Sequence, residues 1–260
     1  MNILLVGDIV GRPGRRALEE TLPRLRAQYE VDFVIVNGEN AAAGFGVTDK
    51  VLRELLDLGV DCVTSGNHIW AKKEVGKLIG NEVRLLRPAN FPAGCPGRGA
   101  MVYRARSGQP VAVVNLQGRV FMPPLECPFA WIDDHVEALR QETPIVIVDF
   151  HAEATSEKQA VARFADGRVS AVIGTHTHVQ TSDEQILPGG TAYITDAGMT
   201  GPTESIIGTR IEEILTRFRT QMPQKFEVAS GPVDVCGVVV EVDEGTGRAR
   251  RIARLRERVD

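Results

Sequence analysis

The stretch Ile3-Leu4-Leu5-Val6-Gly7-Asp8 is an apolar run that stops at a carboxylate, and the same arrangement recurs along the chain. Four further apolar runs also end in side chains that can bind metal ions. The residues behind the five runs are Asp8; Glu39 and Asn40; Asn67 and His68; His151; and His176 with His178. In an open α/β sheet, ligands bind beyond the carboxyl ends of the strands. The recurrence therefore predicts an α/β protein whose strands bring these side chains together.

Helical patterns alternate with the predicted strands. Apolar residues at helical spacing from Leu18 to Tyr29 predict a first helix, which Pro23 is expected to kink or split. A second amphipathic helix is expected over Val51–Leu58, with Thr48 as its N-cap. This alternation is typical of α/β folds.

The second half of the chain has the same character. Helices are expected over Trp131–Leu139 and Glu204–Phe218, and after His151, where Ser156 and Gln159 have capping-box spacing. A further strand is expected over Val233–Val242.

Residues 83–128 are rich in Pro and Gly, with β-like runs at Ala100–Arg104 and Val111–Leu116. We expect an irregular, cap-like segment that closes over one end of the sheet. It lies within a single domain that spans residues 1–260.

The amino-acid composition limits where the protein can be located and what it can bind. The 260 residues are 43% hydrophobic and 25% charged, which is an ordinary globular balance. Four cysteines without CxxC spacing argue against a disulfide framework and fit a reducing cytoplasm. No apolar stretch reaches the roughly 18 residues of a membrane span. A net charge of -4 argues against a stable nucleic-acid complex, whereas a nucleotide-sized substrate is compatible with it.

Arginines near both ends of the chain have two interpretations. Five of the last eleven residues are arginines, which predicts a solvated face of a terminal strand or helix; a phosphate- or partner-binding tail is the alternative. Arg12 and Arg15 follow the first candidate ligand, and a solvated helix start is favoured there over contact with a substrate phosphate.

The distribution of histidines supports a metal site. Four of the five follow predicted strands; His135 is the exception and is expected to be structural or solvated. His176 and His178 point the same way if their backbone is extended. Each residue alone has a structural alternative, since Asp8, Glu39 and Gly66-Asn67-His68 could belong to turns. His151 alone could be a buried, hydrogen-bonded histidine. The combination favours a metal site.

The chemistry of this set fits a pair of cations. One carboxylate can bridge two ions and lower their repulsion. Mixed imidazole, carboxylate and amide ligands suit iron, manganese or zinc better than calcium or magnesium. The absence of cysteine from the set argues against a structural zinc site.

The order Asp, acid, Gly-Asn-His, His, Gly-X-His-X-His resembles calcineurin-like metallophosphoesterases, and within them the YmdB-type family. The matching stretches are Gly7-Asp8-Ile9-Val10-Gly11, Asn37-Gly38-Glu39-Asn40, Ser65-Gly66-Asn67-His68, His151 to Lys158, Gly174 to Val179 and Thr195 to Gly201. The resemblance runs from near residue 1 to past residue 240.

The resemblance implies a four-layer αββα sandwich of the metallophosphoesterase type with mixed sheets, and a phosphodiesterase that acts on 2′,3′-cyclic nucleotides. It implies two metal ions at one edge of the sheets, bridged by Glu39. The implied ligands are Asp8, Glu39, Asn40 and His178 for one ion, and Glu39, Asn67, His151 and His176 for the other. His68 would stand outside these shells as the proton donor to the leaving group.

Two departures from the wider superfamily affect the metals. Its first motif is Asp-X-His, whereas Val10 stands two residues after Asp8, and its bridging Asp is replaced by Glu39. Asn40 supplies the missing ligand in the YmdB-type pattern. The resulting oxygen-rich shell favours iron or manganese, with zinc as the alternative.

Several points stay open at this level. A phosphomonoesterase of broad specificity could use the same site. A non-catalytic metal or nucleotide sensor is disfavoured by His68, and an amidohydrolase by the late position of His176 and His178. Glu153 either orients a ligand histidine or packs in its loop. The partner is a small phosphoester or nucleotide; the substrate-binding residues and the oligomeric state, homo-oligomer included, are unassigned.

Overall fold

The computed structural model describes residues 1–260, which form two mixed β-sheets and six α-helices. In chain order, the strands are β1 (Asn2–Val6), β2 (Asp8–Ile9), β3 (Val31–Asn37), β4 (Cys62–Thr64), β5 (Ala100–Arg104), β6 (Pro110–Gln117), β7 (Val146–His151), β8 (Ala171–Thr175), β9 (Gln185–Ile186), β10 (Ala192–Ile194), β11 (Met199–Pro202), β12 (Val233–Val242) and β13 (Ala249–Val259). The helices are α1 (Gly11–Gln28), α2 (Asp49–Asp57), α3 (Val75–Asn81), α4 (Pro128–Glu142), α5 (Thr155–Phe164) and α6 (Ile211–Thr220).

The first sheet has the order β2-β11-β12-β1-β3-β4, with β13 also paired to β12. Within it β1, β3 and β4 run parallel, while β12 is antiparallel to β1. The second sheet has the order β5-β6-β7-β8-β10-β9, and β6, β7, β8 and β10 run parallel. The residues that follow the parallel strands therefore leave each sheet at one edge.

Three apolar cores hold the sheets and helices together. Alternate residues of β1 enter different cores: Leu4 and Val6 pack with α1 and α2, whereas Ile3 and Leu5 pack against the second sheet. The third core lies between the second sheet and helices α4 and α5. Strands buried on both faces give continuous apolar runs, which is why the runs that end in candidate ligands were recognisable.

The first two helices agree only in part with expectation. The Thr48 Oγ1 accepts a hydrogen bond from the Val51 backbone N at 3.3 Å, so the predicted N-cap of α2 is confirmed. Helix α1 is continuous, and the split expected at Pro23 is wrong. Pro23 and Glu19, whose carbonyl loses its partner, both lie on the exposed face, where water can bond that carbonyl.

Two other predicted helices exist, but their predicted starts are wrong. Helix α5 begins at Thr155, so Ser156 lies inside it and no side chain caps its start. Inward contacts of Glu157 and Lys158, both buried, set this start instead of a capping box. Residues 204–210 precede α6 and are not helical, because Thr209 pairs with Val228 in an isolated bridge.

The two β-like runs predicted within residues 83–128 are confirmed as strands, but these strands extend a sheet and do not close over its end. Strands β5 and β6 belong to the second sheet, and β6 lies between β5 and β7. The apolar side chains of β6 are buried in two cores, which draws this segment into the sheet.

Two features outside the site match the sequence. The C-terminal arginines lie on β13, where Arg256 and Arg258 bond the Asp234 carboxylate at 2.6 and 2.8 Å, so the interpretation as a solvated strand face is confirmed. His135 is exposed and stacks on Trp131 with ring centroids 4.6 Å apart. None of the helices combines the length and apolarity that crossing a bilayer requires.

Candidate metal centre

The side chains behind the five apolar runs meet beyond the carboxyl ends of the parallel strands. Glu39 and Asn40 lie in the turn after β3, and Asn67 and His68 follow β4. Asp8 opens β2, His151 ends β7, and His176 and His178 follow β8. Both sheets contribute, so the site lies where their edges come together.

His151 is the centre of the most compact group. Its Nε2 lies 3.1 Å from Glu39 Oε1, 3.1 Å from Asn67 Oδ1 and 3.0 Å from His176 Nδ1. Donor atoms of Glu39, His151 and His176 all lie within 4.8 Å of one another. A carboxylate, an amide oxygen and two imidazole nitrogens thus converge, which suits a first-row transition metal.

A looser second group consists of Asp8 and His178, whose side chains face each other, and Asn40, which lines the same cavity as His178. His178 Nε2 lies 3.9 Å from Asp8 Oδ1, and Asp8 Oδ2 accepts a hydrogen bond from the His176 backbone N at 3.1 Å. The Asn40 amide donates to the Gly44 carbonyl at 2.9 Å.

Two buried oxygen atoms in this second group have no hydrogen-bond partner. They are Asp8 Oδ1 and Asn40 Oδ1. Buried acceptors are nearly always satisfied, because leaving them unpaired costs free energy. A cation coordinated by these oxygens would remove that cost, so the residues present fit a metal ion.

Gly66 allows the compact group to form. A Cβ on this residue would lie 2.2 Å from His151 Nε2 and 2.3 Å from Glu39 Oε2. Neither Gly66 nor Asn67 has a positive φ, so a left-handed turn does not explain the glycine. Close approach of the ligands does.

The backbone of the His176–His178 loop differs from expectation. The two residues have φ values of 101° and 66°, so the prediction of an extended backbone is wrong. The Thr177 backbone N and Oγ1 both donate to Asp196 Oδ2, at 3.1 and 2.8 Å. This carboxylate fixes a conformation that histidine rarely adopts.

Each histidine of this loop has a second contact that orients its ring. Glu153 Oε2 lies 3.2 Å from His176 Nε2, which leaves Nδ1 facing His151. The Ile207 carbonyl lies 2.9 Å from His178 Nδ1, which leaves Nε2 facing Asp8. Glu153 therefore takes the orienting role and not the packing role. Such partners fix tautomer and orientation in metal sites.

Burial and mutual contact shift the pKa values in the cluster. Burial raises the pKa of Asp8 to about 6, against the effect of His178 and His151. Burial also acts to raise the pKa of Glu39, but His151 outweighs it and lowers that pKa to about 2. Burial acts to lower the pKa of His151, but Glu39 and then Asp8 raise it to about 9. Burial and then His151 lower the pKa of His176 to about 3.

His68 stands beside this cluster. Its backbone N donates to Glu39 Oε2 at 3.2 Å, and its ring meets Phe45 edge to face with centroids 4.9 Å apart. Burial lowers the pKa of His68, while Glu39 acts to raise it. The side chain is half-buried, so it can meet a ligand in the adjoining cavity.

A cavity of about 200 Å³ opens on the cluster. Its floor is polar and includes Glu39, Asn40, His68, His176 and His178. Its wall is apolar and includes Val10, Phe45, Ile207, Ile214, Phe226 and Val228. Polar and apolar side chains thus line the same cavity.

Several residues that support the site escaped the sequence analysis. Asp196 and its partner Lys158 stand in stretches that match the YmdB-type pattern, but the sequence alone assigned neither of them a role. Arg15 bonds the Ala41 carbonyl and lies 3.1 Å from Glu54, so it supports the loop of Asn40 instead of meeting a substrate. Neither Arg12 nor Arg15 lines the cavity.

Residues 4–255 match the family described as YmdB-like protein. The chain belongs to the YmdB-like family. A relative from Bacillus subtilis, the 2′,3′-cyclic-nucleotide 2′-phosphodiesterase, is 50% identical over 255 residues, which cover 98% of this chain and 96% of the relative.

Two solved structures resemble this YmdB-like chain over nearly its whole length. A hypothetical protein from Thermus thermophilus has 44% identity and a TM-score of 0.93, with 99% of each chain covered. A novel phosphatase from Mycoplasma pneumoniae has 34% identity and a TM-score of 0.92, with 99% of this chain and 93% of that chain covered.

Proposed function

We propose that this YmdB-like protein is a metal-dependent phosphodiesterase that hydrolyses 2′,3′-cyclic nucleotides. The observation that carries the proposal is the pair of unpartnered buried oxygens, Asp8 Oδ1 and Asn40 Oδ1, beside the Glu39–His151–His176 group. The 50% identity to the Bacillus subtilis enzyme across 98% of the chain supports the choice of substrate.

The proposed ligands divide into two sets, and Glu39 belongs to both. Asp8, Asn40 and His178 would hold one ion with Glu39; Asn67, His151 and His176 would hold the other with Glu39. The mixed oxygen and nitrogen donors favour iron or manganese, with zinc as the alternative. When bound, the metal pair supplies Lewis-acid polarisation of the phosphoryl oxygens.

His68 is the proposed proton donor. As a water oxygen bonds to phosphorus and the phosphorus–oxygen bond to the ribose breaks, the protonated His68 ring would give its proton to the leaving oxygen. A proton of that water then restores the ring. The hydrogen bond from His68 N to Glu39 Oε2 keeps this residue beside the metal ligands, and Phe45 fixes the ring from the other side. Proton transfer of this kind contributes about 10²–10⁴-fold to the rate.

The lining of the cavity favours a nucleoside ester as the substrate over a bare phosphate. A phosphate group on the polar floor leaves the rest of the ester against the apolar wall, where Phe45, Phe226 and Val228 lie. Aromatic and aliphatic side chains bind the faces of nucleobases without selecting one base.

We also propose that the fold is a four-layer αββα sandwich. The three apolar cores have the composition that this arrangement requires: helices with the first sheet, sheet with sheet, and the second sheet with helices. The metal centre then lies at the edge of the middle two layers.

The test uses purified protein before and after chelation, re-loaded separately with iron, manganese or zinc. We expect hydrolysis of a 2′,3′-cyclic nucleotide to disappear on chelation and to return with iron or manganese. Preference for a simple phosphomonoester would replace the diesterase proposal with a monoesterase. Metal-loaded protein that turns over neither ester would identify a sensor and overturn the proposal.

A further inference from the structure

A buried carboxylate that the proposed chemistry does not use lies beneath the metal centre. Asp149 lies on β7, two residues before His151, and its side chain is completely buried. Its partners come from both sheets: Asn37 ends β3, Thr64 ends β4 and Thr175 ends β8. Asp149, these three partners and His151 have no exposed surface, so bulk water does not compete for their hydrogen bonds.

The hydrogen bonds around Asp149 have a defined direction. The Asn37 amide nitrogen, which can only donate, lies 3.0 Å from Asp149 Oδ2. The orientation of this amide is fixed by its oxygen, which accepts from the Glu39 backbone N at 3.1 Å. The Thr64 hydroxyl also donates to Oδ2. Asp149 therefore accepts hydrogen bonds at both oxygens, and its Oδ1 accepts one from the Thr175 hydroxyl at 2.7 Å.

The Thr175 hydroxyl connects this carboxylate to His151. A hydroxyl can donate only one hydrogen bond. Because the Thr175 hydroxyl donates to Asp149, its oxygen can only accept from its other neighbours. His151 Nδ1 lies 3.0 Å from Thr175 Oγ1 and therefore has to donate. The next acceptor near Nδ1 is Asp8 Oδ1 at 3.8 Å, which is too far for a hydrogen bond.

The other nitrogen of the same ring faces the ligand group. His151 Nε2 lies within 3.1 Å of Glu39, Asn67 and His176. Without a metal ion, the Glu39 and Asn67 oxygens compete with Thr175 for the proton of a neutral ring, because all three oxygens accept. A nitrogen that binds a metal must carry no proton, so a neutral His151 serves as a ligand only when its single proton is on Nδ1.

We infer that Asp149 and Thr175 are positioning residues that set the tautomer of His151 and so present its Nε2 to a metal ion. The inference rests on the proposed metal centre for its purpose, but the tautomer itself is a property of the chain. Asp149 also joins Asn37, and through it the backbone of Glu39, so one carboxylate fixes ligands from both sheets.

The first experiment observes the tautomer directly. Metal-free protein with ¹⁵N-labelled histidine is studied by NMR at a pH where the His151 signals show a single ring proton. We expect a larger share of that proton on Nδ1 in the wild-type protein than in Thr175→Val, because Glu39 and Asn67 compete for it at Nε2. An equal share in both proteins, or a wild-type proton on Nε2 alone, overturns the inference. This result does not depend on metal binding, so it is distinct from failure of the proposed function.

The second experiment measures metal affinity, with Mn²⁺ as the probe, in Thr175→Val and Thr175→Ser. The valine removes the acceptor at nearly constant volume, and the serine keeps it. Loss of such an outer contact typically weakens a metal site about 10–100-fold. We expect a loss of that size at one of two sites in the valine variant and affinity close to wild type in the serine variant.

Thr64→Val is the matched control, because it removes a buried hydrogen bond to the same carboxylate without touching the path to His151. We expect it to lose stability but to keep Mn²⁺ affinity near that of the wild type. Equal affinity in Thr175→Val and wild type, or equal losses in Thr175→Val and Thr64→Val, would overturn the inference. If the valine variant does not fold, a His151 proton found only on Nε2 in the wild-type protein still overturns the inference.

Discussion

Lys158 Nζ lies 2.7 Å from Asp196 Oδ2, and both side chains are completely buried. The same carboxylate accepts three hydrogen bonds, from Thr177 N, Thr177 Oγ1 and Gly198 N. The pair therefore neutralises a charge inside the fold and holds the loop that carries His176 and His178.

We expect Asp196→Ala to lower the free energy of unfolding by about 3–5 kcal/mol, because it leaves the Lys158 ammonium buried without a partner. Lys158→Met should cost less, since Asp196 keeps its three donors. Urea denaturation measures both. Arg53→Ala, which breaks an exposed ion pair with Asp49, is the control and should change stability by about 0–1 kcal/mol. A larger loss in Lys158→Met than in Asp196→Ala would contradict this account.

Gly66→Ala should disrupt the metal centre. The new Cβ would overlap His151 Nε2 and Glu39 Oε2, so at least one ligand has to move. We expect loss of bound metal and of hydrolysis, measured by metal analysis and by assay after reconstitution. Gly76→Ala is the matched control: its Cβ meets nothing within 4 Å, and alanine favours helix α3 by up to about 1 kcal/mol. Normal metal content in Gly66→Ala would refute the role given to this glycine.

His68→Ala should slow turnover and leave the metals in place. The side chain is proposed to donate a proton and not to bind an ion, so we expect kcat to fall about 10²–10⁴-fold with near-normal metal content. Because His68 acts in its protonated form and burial lowers its pKa, the wild-type kcat should fall as pH rises through a value below the ordinary imidazole range. Metal loss that parallels the loss of activity would make His68 a ligand instead.

Metal binding should release protons in a pH-dependent manner. His151 has a pKa of about 9 in the metal-free protein, and it must be neutral to bind a metal ion. Between the Asp8 pKa of about 6 and this value, we expect release of about one proton, since His176, with a pKa of about 3, is already neutral. Release should vanish above pH 9 and increase below pH 6.

Calorimetric titration with Mn²⁺ in buffers of different ionisation enthalpy measures this proton release. A titration with no proton release at neutral pH would show that His151 is already neutral in the metal-free protein.

Phe226→Ala should weaken the binding of nucleoside esters. Phe226 is half-buried on the apolar wall of the cavity, and loss of about 1.4 kcal/mol of apolar contact lowers affinity tenfold. We expect KM for a 2′,3′-cyclic nucleotide to rise about tenfold with little change in kcat, and no change for a phosphoester without a nucleoside. Phe218→Ala, on the exposed surface of α6, is the control. Equal effects on both substrates would exclude a nucleoside on this wall.

The sequence predicted the candidate ligands because each one follows a buried strand, and a short apolar run is a local signal. The runs before Asp8 and His151 are such cases, and the structure brings both residues into one cluster. Pairing of the strands then places the ligands, since neighbouring parallel strands end at the same edge.

The supporting residues could not be predicted in the same way. Asp196 reaches Thr177, and Asp149 reaches Asn37, only after distant segments have folded together. The positive φ of His176 and His178 could not be predicted from the residue type, because histidine usually adopts other conformations. Long-range hydrogen bonds set these features.

Strand β12 has a further consequence for how the protein is made. It lies between β1 and β11, with Asn2 opposite Glu241, and the Gly7 N beside Asp8 donates to the Cys236 carbonyl at 3.0 Å. A ribosome must therefore translate past Val242 before the first sheet can close around Asp8. The candidate ligand Asp8 reaches its final surroundings only after that point, and until then the apolar β1 lacks its β12 neighbour.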